Sequence, residues 1–555
     1  MQGKDRQPNA LRIVAIPFLV IWLIVFFVLT IIPAINAFII SFMRYSLHEG
    51  ISGSDFVGMD SFIWLFQEDR IPVSFANSFV LAVVPVILAI IVAFPIAFVV
   101  GGMSAGRLRS ATTGLLLLPA FIPDIMLASL IIGIFPNNMV VSDALYSFFV
   151  IVISSIKPAA VCAFVGACAA GIYKDRGKNV AFGAISGVLV GIVINVVRFL
   201  SSNMELVTLI RRPGIGSIEN SLDNLSFLLG LIMLDFSRAS AIWVFKTALQ
   251  FVPAIILVII VFLCIRTRKN DTINSNTVNT NTFSARAVFG FATALLFLLL
   301  LIVPFGILAN SPHLTAHSPE VSLPTAIVNT LVITIASGVV FFIFFIMITT
   351  WCYAFFGKIA IALILILSPF ANNIIGEFVF YLRLGMMNNH LPVILSGIFN
   401  LSFVLAVAYL AHLKKLQANS FVEYICALGP YVIAFMGVFL ANTWGSSYYQ
   451  MVYARDSRLF GLGMVKNMQI GWGNSLDFGS LLLLFVLPVL FIGIVTVLIF
   501  TFIDNKAQEV TSSTLPGKKI AEAEPKVENV RYCQECGYKN INIGLYCGAC
   551  GAKQG

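Results

Sequence analysis

The sequence predicts an all-α polytopic membrane protein, with twelve transmembrane helices in two six-helix halves and a small cysteine-bearing module at the C-terminus. Three observations predict it. Of 555 residues, 59% are hydrophobic and only 11% charged, with a mean hydropathy of +0.97. A soluble domain carries about 25% charged residues, so a water-covered surface is excluded, and with it a cytosolic enzyme, a disulfide-rich secreted module and a disordered hub. The apolar residues fall in long unbroken runs rather than the alternating pattern of a spanning barrel. A polar seam then divides these runs six and six.

Hydrocarbon about 30 Å thick needs roughly 20 apolar residues per helix. Twelve runs meet that need, near residues 13–40, 78–101, 112–135, 144–171, 180–200, 239–265, 286–309, 326–350, 358–380, 391–411, 421–443 and 478–503. The first follows Lys4, Arg6 and Arg12 and is too long for a signal-peptide core, so a retained helix is expected. An even number of spans puts both termini on one side. Arg107, Arg109, Lys174, Arg176, Lys178, Arg266, Arg268, Lys269, Arg286, Lys358, Lys414 and Lys415 share that side, as do most of the 34 Lys and Arg. The positive-inside rule makes it the cytoplasmic face of a cell membrane. The net charge of +9 is then loop bias, and no nucleic-acid partner is expected.

The seam, residues 266–285, reads RTRKNDTINSNTVNTNTFSA. It is polar, rich in Asn and Thr, and has no apolar period, so a cytoplasmic linker is expected between a first half (1–265) and a second (286–503). Each half presents a helix, an extracellular stretch and then five closely spaced helices. Two parallel six-helix units suggest a transporter; one large membrane domain with a long loop is the alternative. Residues 504–531 are hydrophilic, a tether to residues 532–555.

That last segment carries C-x2-C-x10-C-x2-C: Cys533, Cys536, Cys547 and Cys550. Gly537 and Gly551 follow the two pairs and permit the tight turn that aims two sulfurs at one ion. Four thiolates make a closed tetrahedral site, structural rather than catalytic, and disulfides are rare on the cytoplasmic side. A segment this short buries no core of its own, so bound Zn2+ would supply its folding energy. The spacing resembles a zinc ribbon; two redox-active pairs or a decayed site are the alternatives. A ribbon here would hold a cytoplasmic partner or end the tail. The other five cysteines, Cys162, Cys168, Cys264, Cys352 and Cys426, lie in or beside apolar runs and are expected to pack as small hydrophobes.

No G-x-x-x-x-G-K-[ST] loop occurs, so the chain has no P-loop with which to hydrolyse nucleotide. Several stretches are similar to the permease subunits of binding-protein-dependent ABC sugar importers of the maltose and oligogalacturonide type. In the first half these are DFVGMDSFIWLF (55–66), NSFVLAVVPVILAIIVAFPIAF, GRLRSATTGLLLLPAFIP (106–123), the loop at 204–236 and SRASAIWVFKTALQFVPAIIL. In the second they are IVNTLVITI (327–335), WCYAFFGK (351–358), RLGMMNNHLPVIL (383–395) and WGSSYYQMVYARDSRLFGLGMV (444–465). The resemblance covers most of residues 10–503 and rests on many short pieces in the family's order. It implies two permease halves fused in one chain. These would accept a sugar or oligosaccharide from an extracellular solute-binding protein, driven by two cytoplasmic ATPase subunits.

One family feature is missing. Members carry a cytoplasmic loop between the fourth and fifth helices, with a Glu-Ala-Ala motif, that docks on the ATPase. Here PAAVCAFVGACAAGIYKDRGKN (158–179) is apolar and then basic, with no Glu between Glu68 and Glu205, and AHLKKLQANS (411–420) lacks Glu as well. Glu423 and Gly429 have the motif's spacing, but only 21 residues separate Glu423 from Trp444, about half the family's distance. An apolar docking helix would need covering, so 158–171 either extends the fourth helix or is buried against something else. Both coupling loops read as lost or replaced.

Ionisable residues inside apolar spans are costly and mark a pathway or a buried pair. Four stand out: Asp124, Lys157, Lys246 and Glu377. Asp124 and Glu377 fall in the third helix of each half, beside Pro123 and Gly376, where irregular backbone is tolerated if it lines a cavity. Asn372 and Asn373 lie a turn before Glu377. The transport-pathway candidates are therefore Asp124, Lys157, Asn372, Asn373 and Glu377. The competing expectation is an Asp124–Lys157 or Glu377–Lys246 ion pair, or a snorkelling Lys. The 12% aromatic content, mostly Phe, reads as packing material and not as a sugar-stacking surface.

Three functions follow. The first is the permease component of a carbohydrate importer. The second is a permease-derived scaffold or sensor uncoupled from any ATPase, its ribbon holding a cytoplasmic partner. A secondary transporter is the third, disfavoured because GGMSAGRLRS between the second and third helices has no acid. No Ser/His/Asp, paired-carboxylate or open metal constellation lies outside the spans, so no enzyme is expected.

Overall fold

In hydrocarbon every backbone N–H and C=O must find its partner within the chain, which leaves the helix as the default element. The computed structural model describes residues 9–104, 106–135, 142–175, 177–196, 200–201, 203–210, 218, 220–266, 322–354, 357–371, 373–396, 401–414, 421–471, 482–514, 531–532 and 539–540. Seven of its helices are long and apolar enough to cross a membrane: Ile16–Ile40, Arg70–Gly101, Asp143–Asp175, Phe236–Ile259, Leu323–Thr350, Leu428–Gly445 and Leu484–Asn505. The chain is thus a helical membrane protein. Side chains on the outer faces of these helices, such as Ile24, Ile91, Ile335 and Phe491, are exposed and apolar, as a lipid-facing surface requires.

The third run of each half departs from a straight span, and both halves depart in the same way. Helix Arg107–Leu115 gives way to a 3-10 turn, Leu118–Phe121, before helix Asp124–Ile134. In the second half helix Gly357–Leu367 is followed by the 3-10 turn Ser368–Ala371 and helix Ile374–Arg383, with a bend of 68°. Each turn has Pro at its second position, Pro119 and Pro369, where the missing N–H breaks the helical ladder. Of the other expected spans, 180–200 is the 17-residue helix Val180–Val196. The run at 391–411 comprises His390–Ser396 and Leu401–Lys414. The linker, apart from Arg266, and the span at 286–309 lie outside the described residues.

Helices Arg70–Gly101, Asp143–Asp175 and Val180–Val196 pack together through small residues. A Cβ on Gly187 would lie 2.7 Å from the Gly166 Cα, and one on Gly191 2.7 Å from the Cys162 Sγ. Gly183, Gly187 and Gly191 recur every four residues on one face, the spacing that lets membrane helices approach closely. This packing decides the fate of residues 158–171. They continue the Asp143–Asp175 helix without a break, and Ala159 through Val165 are buried. Its end is fastened by a bidentate pair: Arg109 donates to both carboxylate oxygens of Asp175 at 2.7 and 2.6 Å.

Residues 1–503 form one compact unit, because the two halves interlock. Helix Asn9–Phe26 packs on Leu323–Ala354, and Phe236–Arg266 packs on Gly357–Leu367. The converse contact also exists: Gly114 meets Val497 and Phe500, and Gly493 meets Leu118. The last helix of each half therefore lies against the third helix of the other. Aromatic pairs close the same seam, with Phe164 edge-on to Phe435 at 5.7 Å and Phe236 stacked on Phe378 at 5.9 Å.

The second unit, Asp504–Gly555, contains the end of helix Leu487–Thr514 and an antiparallel pair in which Arg531 faces Asn540 and Tyr532 faces Lys539. Cys533, Cys536, Cys547 and Cys550 lie outside the described residues. Cys162 is buried and packs in a hydrophobic cluster, and Cys168 is half-buried against another.

Candidate functional site

A cavity of about 500 Å³ opens between the two halves, within the size range of small-molecule sites. Asp124, Lys157, Glu205, Asp223 and Lys246 reach it from the first half, and Asn373, Glu377 and Asn442 from the second. It is bounded by the irregular third helix of each half. Pro123, in extended conformation, starts helix Asp124–Ile134 anew, so Asp124 sits in a first turn, where the helix dipole favours a carboxylate.

Lys157 connects the two halves. Its Nζ donates to Asp124 Oδ1 and to Asn442 Oδ1, each at 2.6 Å. The Asn442 amide in turn donates to the carbonyls of Ala120 and Val438. One ammonium, one carboxylate and one amide are thereby satisfied together, the condition for polar groups in a low-dielectric interior. A close approach supports them: a Cβ on Gly445 would lie 2.4 Å from the Pro123 Cβ.

Glu205, on helix Met204–Leu209, is a site residue that the spans do not contain. Its Oε1 accepts from the backbone N of Ser447 at 2.5 Å and from the Ser447 hydroxyl at 3.0 Å. Burial and then the neighbouring Asp124 charge push its carboxyl up to about 7, against the opposing pull of the Ser447 bonds and Lys157.

Lys246 departs from expectation. It pairs with Asp223 rather than with Glu377, and it also donates to Ser201 Oγ at 3.4 Å. Asp223 lies in the first turn of the short helix Leu222–Phe227, outside the expected spans, and folding brings it beside Lys246. Glu377 joins no ion pair among the described residues; it accepts only from Tyr453 Oη, at 3.3 Å. Glu377 and Asp124 share an element but not a position, since Asp124 opens its helix and Glu377 lies a turn into its own. Asn373 caps that helix, accepting from Gly376 N at 2.9 Å and donating to the Pro33 carbonyl at 3.1 Å. Its role is largely structural. Asn372 lies outside the described residues.

Around Glu377 the aromatic residues are concentrated. Tyr381, Tyr448 and Tyr449 line the cavity, and Tyr453 stands edge-on to Tyr381 at 5.3 Å and parallel to Tyr449 at 6.5 Å. Three tyrosines thus line the cavity and Tyr453 packs beside them, a clustering that bulk composition does not reveal. Ser337, 2% exposed, lines the same cavity with its hydroxyl unsatisfied. Among the described residues no group of three or more His, Cys, Asp and Glu is arranged to hold a metal ion.

The chain matches no protein-family model, no curated protein and no solved structure.

Proposed function

We propose that the chain is the membrane-spanning permease component of an ABC-type carbohydrate importer, with twelve helices in two six-helix halves and both termini in the cytoplasm. Separate ATPase subunits and an extracellular binding protein would complete it. The observation that carries this reading is the polar cavity shared by two halves that break their third helix in the same way. The unsatisfied Ser337 hydroxyl and the tyrosines suit a hydroxyl-rich solute; the assignment to carbohydrate rests on the sequence resemblance.

A second reading has its own support. The segment that should dock an ATPase is instead the buried continuation of helix Asp143–Asp175, which favours a permease-derived scaffold or sensor without a motor. Affinity purification after gentle extraction from the native membrane separates the two. Stoichiometric ATPase subunits are the result expected of the importer, and their absence overturns it in favour of the scaffold.

The tail is proposed to be a zinc ribbon, with Cys533, Cys536, Cys547 and Cys550 holding a structural Zn2+ and a cytoplasmic partner bound through it. The antiparallel pair Arg531–Tyr532 and Lys539–Asn540 supports this, because it brackets the first Cys pair and its glycine, as a metal knuckle requires. Purified full-length chain kept reduced should carry zinc and lose it in a C533S/C536S variant; a metal-free wild type contradicts the assignment.

A further inference from the structure

Acidic side chains outnumber basic ones around the cavity. Four carboxylates line it, Asp124, Glu205, Asp223 and Glu377, against two ammonium groups. Lys157 lies on Asp124 and Lys246 on Asp223, so each Lys is already engaged. Glu205 has two donors from Ser447 and is held partly protonated near neutrality by its burial. Glu377 has one long hydrogen bond from Tyr453 and no cation among the described residues. An acid so weakly satisfied is ionised in a buried site only when a cation arrives beside it.

The surroundings of Glu377 indicate the partner's chemistry. Tyr381, Tyr448 and Tyr449 offer ring faces and edges at the same wall, and a cation within about 6 Å of such a ring is attracted to it. The phenol of Tyr448 is held well above its ordinary range, by burial first and then by Tyr449, Asp223, Glu377 and Glu205. A second, independent feature also calls for a ligand, the unsatisfied hydroxyl of Ser337 in the same cavity.

We propose that Glu377 and the neighbouring tyrosines form a recognition point for an ammonium group, so that the cavity takes a hydroxyl-bearing solute carrying one protonated amine. An opposite charge at that point keeps Glu377 ionised, and a hydroxyl of the solute faces Ser337. A neutral sugar supplies no such charge and leaves Glu377 without an ionic partner. The inference rests on the permease reading and narrows its substrate class.

The test is equilibrium binding to the full chain in lipid nanodiscs, using glucosamine at a pH where its amine is protonated, with glucose and N-acetylglucosamine as neutral matches. Glucosamine is expected to bind about tenfold more tightly than either. Glu377→Gln should bring the three to within about threefold of one another, with the wild-type size-exclusion profile required of the variant. Should that variant fail to fold, Tyr449→Leu must narrow the preference in the same direction. Equal binding of all three by the wild type, binding of none, or a preference that survives Glu377→Gln overturns the inference. Equal binding leaves the permease reading standing, because that reading falls only with the absence of ATPase subunits.

Discussion

At the residue scale, Asp124 and Lys157 were legible because charges in apolar runs are conspicuous, and the structure brings them together at 2.6 Å. What the sequence concealed was the third member, Asn442, some 285 positions away. Removing Lys157 alone leaves both Asp124 and Asn442 without their donor. Both side chains of the pair are about a fifth exposed, which moderates the cost to about 2 kcal/mol. A Lys157→Met variant should therefore show a clearly lower Tm in detergent, and D124L/K157M should recover most of the loss; an unchanged single variant contradicts the linkage. Glu205 and Asp223 were missed for a plain reason: each sits in a short helix outside the expected spans, where an acid carries no signal until folding buries it.

Glu205 also predicts a pH dependence. Its folded-state carboxyl titrates at about 7 against an ordinary value of 4.5, so the unfolded chain gives up this proton first. As pH rises through that window the folded state binds more protons than the unfolded one, and this group's contribution to stability falls. Below the window the contribution is fully present; above pH 7 it is lost. Glu205→Gln should flatten the corresponding part of the Tm–pH curve between about pH 5 and 7. A curve that keeps the wild-type slope there contradicts the assignment.

At the scale of the element, residues 158–171 show what composition settles and what it leaves open. Their apolar content excluded a surface docking loop. Whether they extended a helix or were covered by something else depended on neighbours, and the neighbours are the small residues of Arg70–Gly101 and Val180–Val196. The expected straight span at 112–135 failed at Pro119 and Pro123: hydropathy counts apolar residues but not missing donors. The close packing makes its own prediction. Gly to Ala within a helix ordinarily stabilises, by up to about 1 kcal/mol, and Gly429→Ala, with open space at its Cβ, should do no harm. Gly187→Ala drives a methyl against the Gly166 backbone and should destabilise by about 1–3 kcal/mol, read as a lower Tm. Equal behaviour of the two variants would mean that the three helices do not pack as described.

At the scale of the whole molecule, the polar seam at 266–285 reads as a linker between two halves but says nothing of how they pack. The described helices exchange partners, each final helix lying on the other half's third helix, so that residues 1–503 form one unit. Such an exchange is invisible in sequence, since it depends on contacts hundreds of residues apart. Its consequence is a cavity to which neither half alone contributes all the walls. Whether that cavity admits water and solute is the central claim. The direct measurement is labelling by a membrane-impermeant, water-soluble thiol reagent of Thr443→Cys, on the cavity wall, and of Val339→Cys, on an exposed apolar helix face. With wild-type labelling subtracted, Thr443→Cys should react and Val339→Cys should not. An unreactive Thr443→Cys, or equal reaction at both positions, would contradict a solvated pathway between the halves.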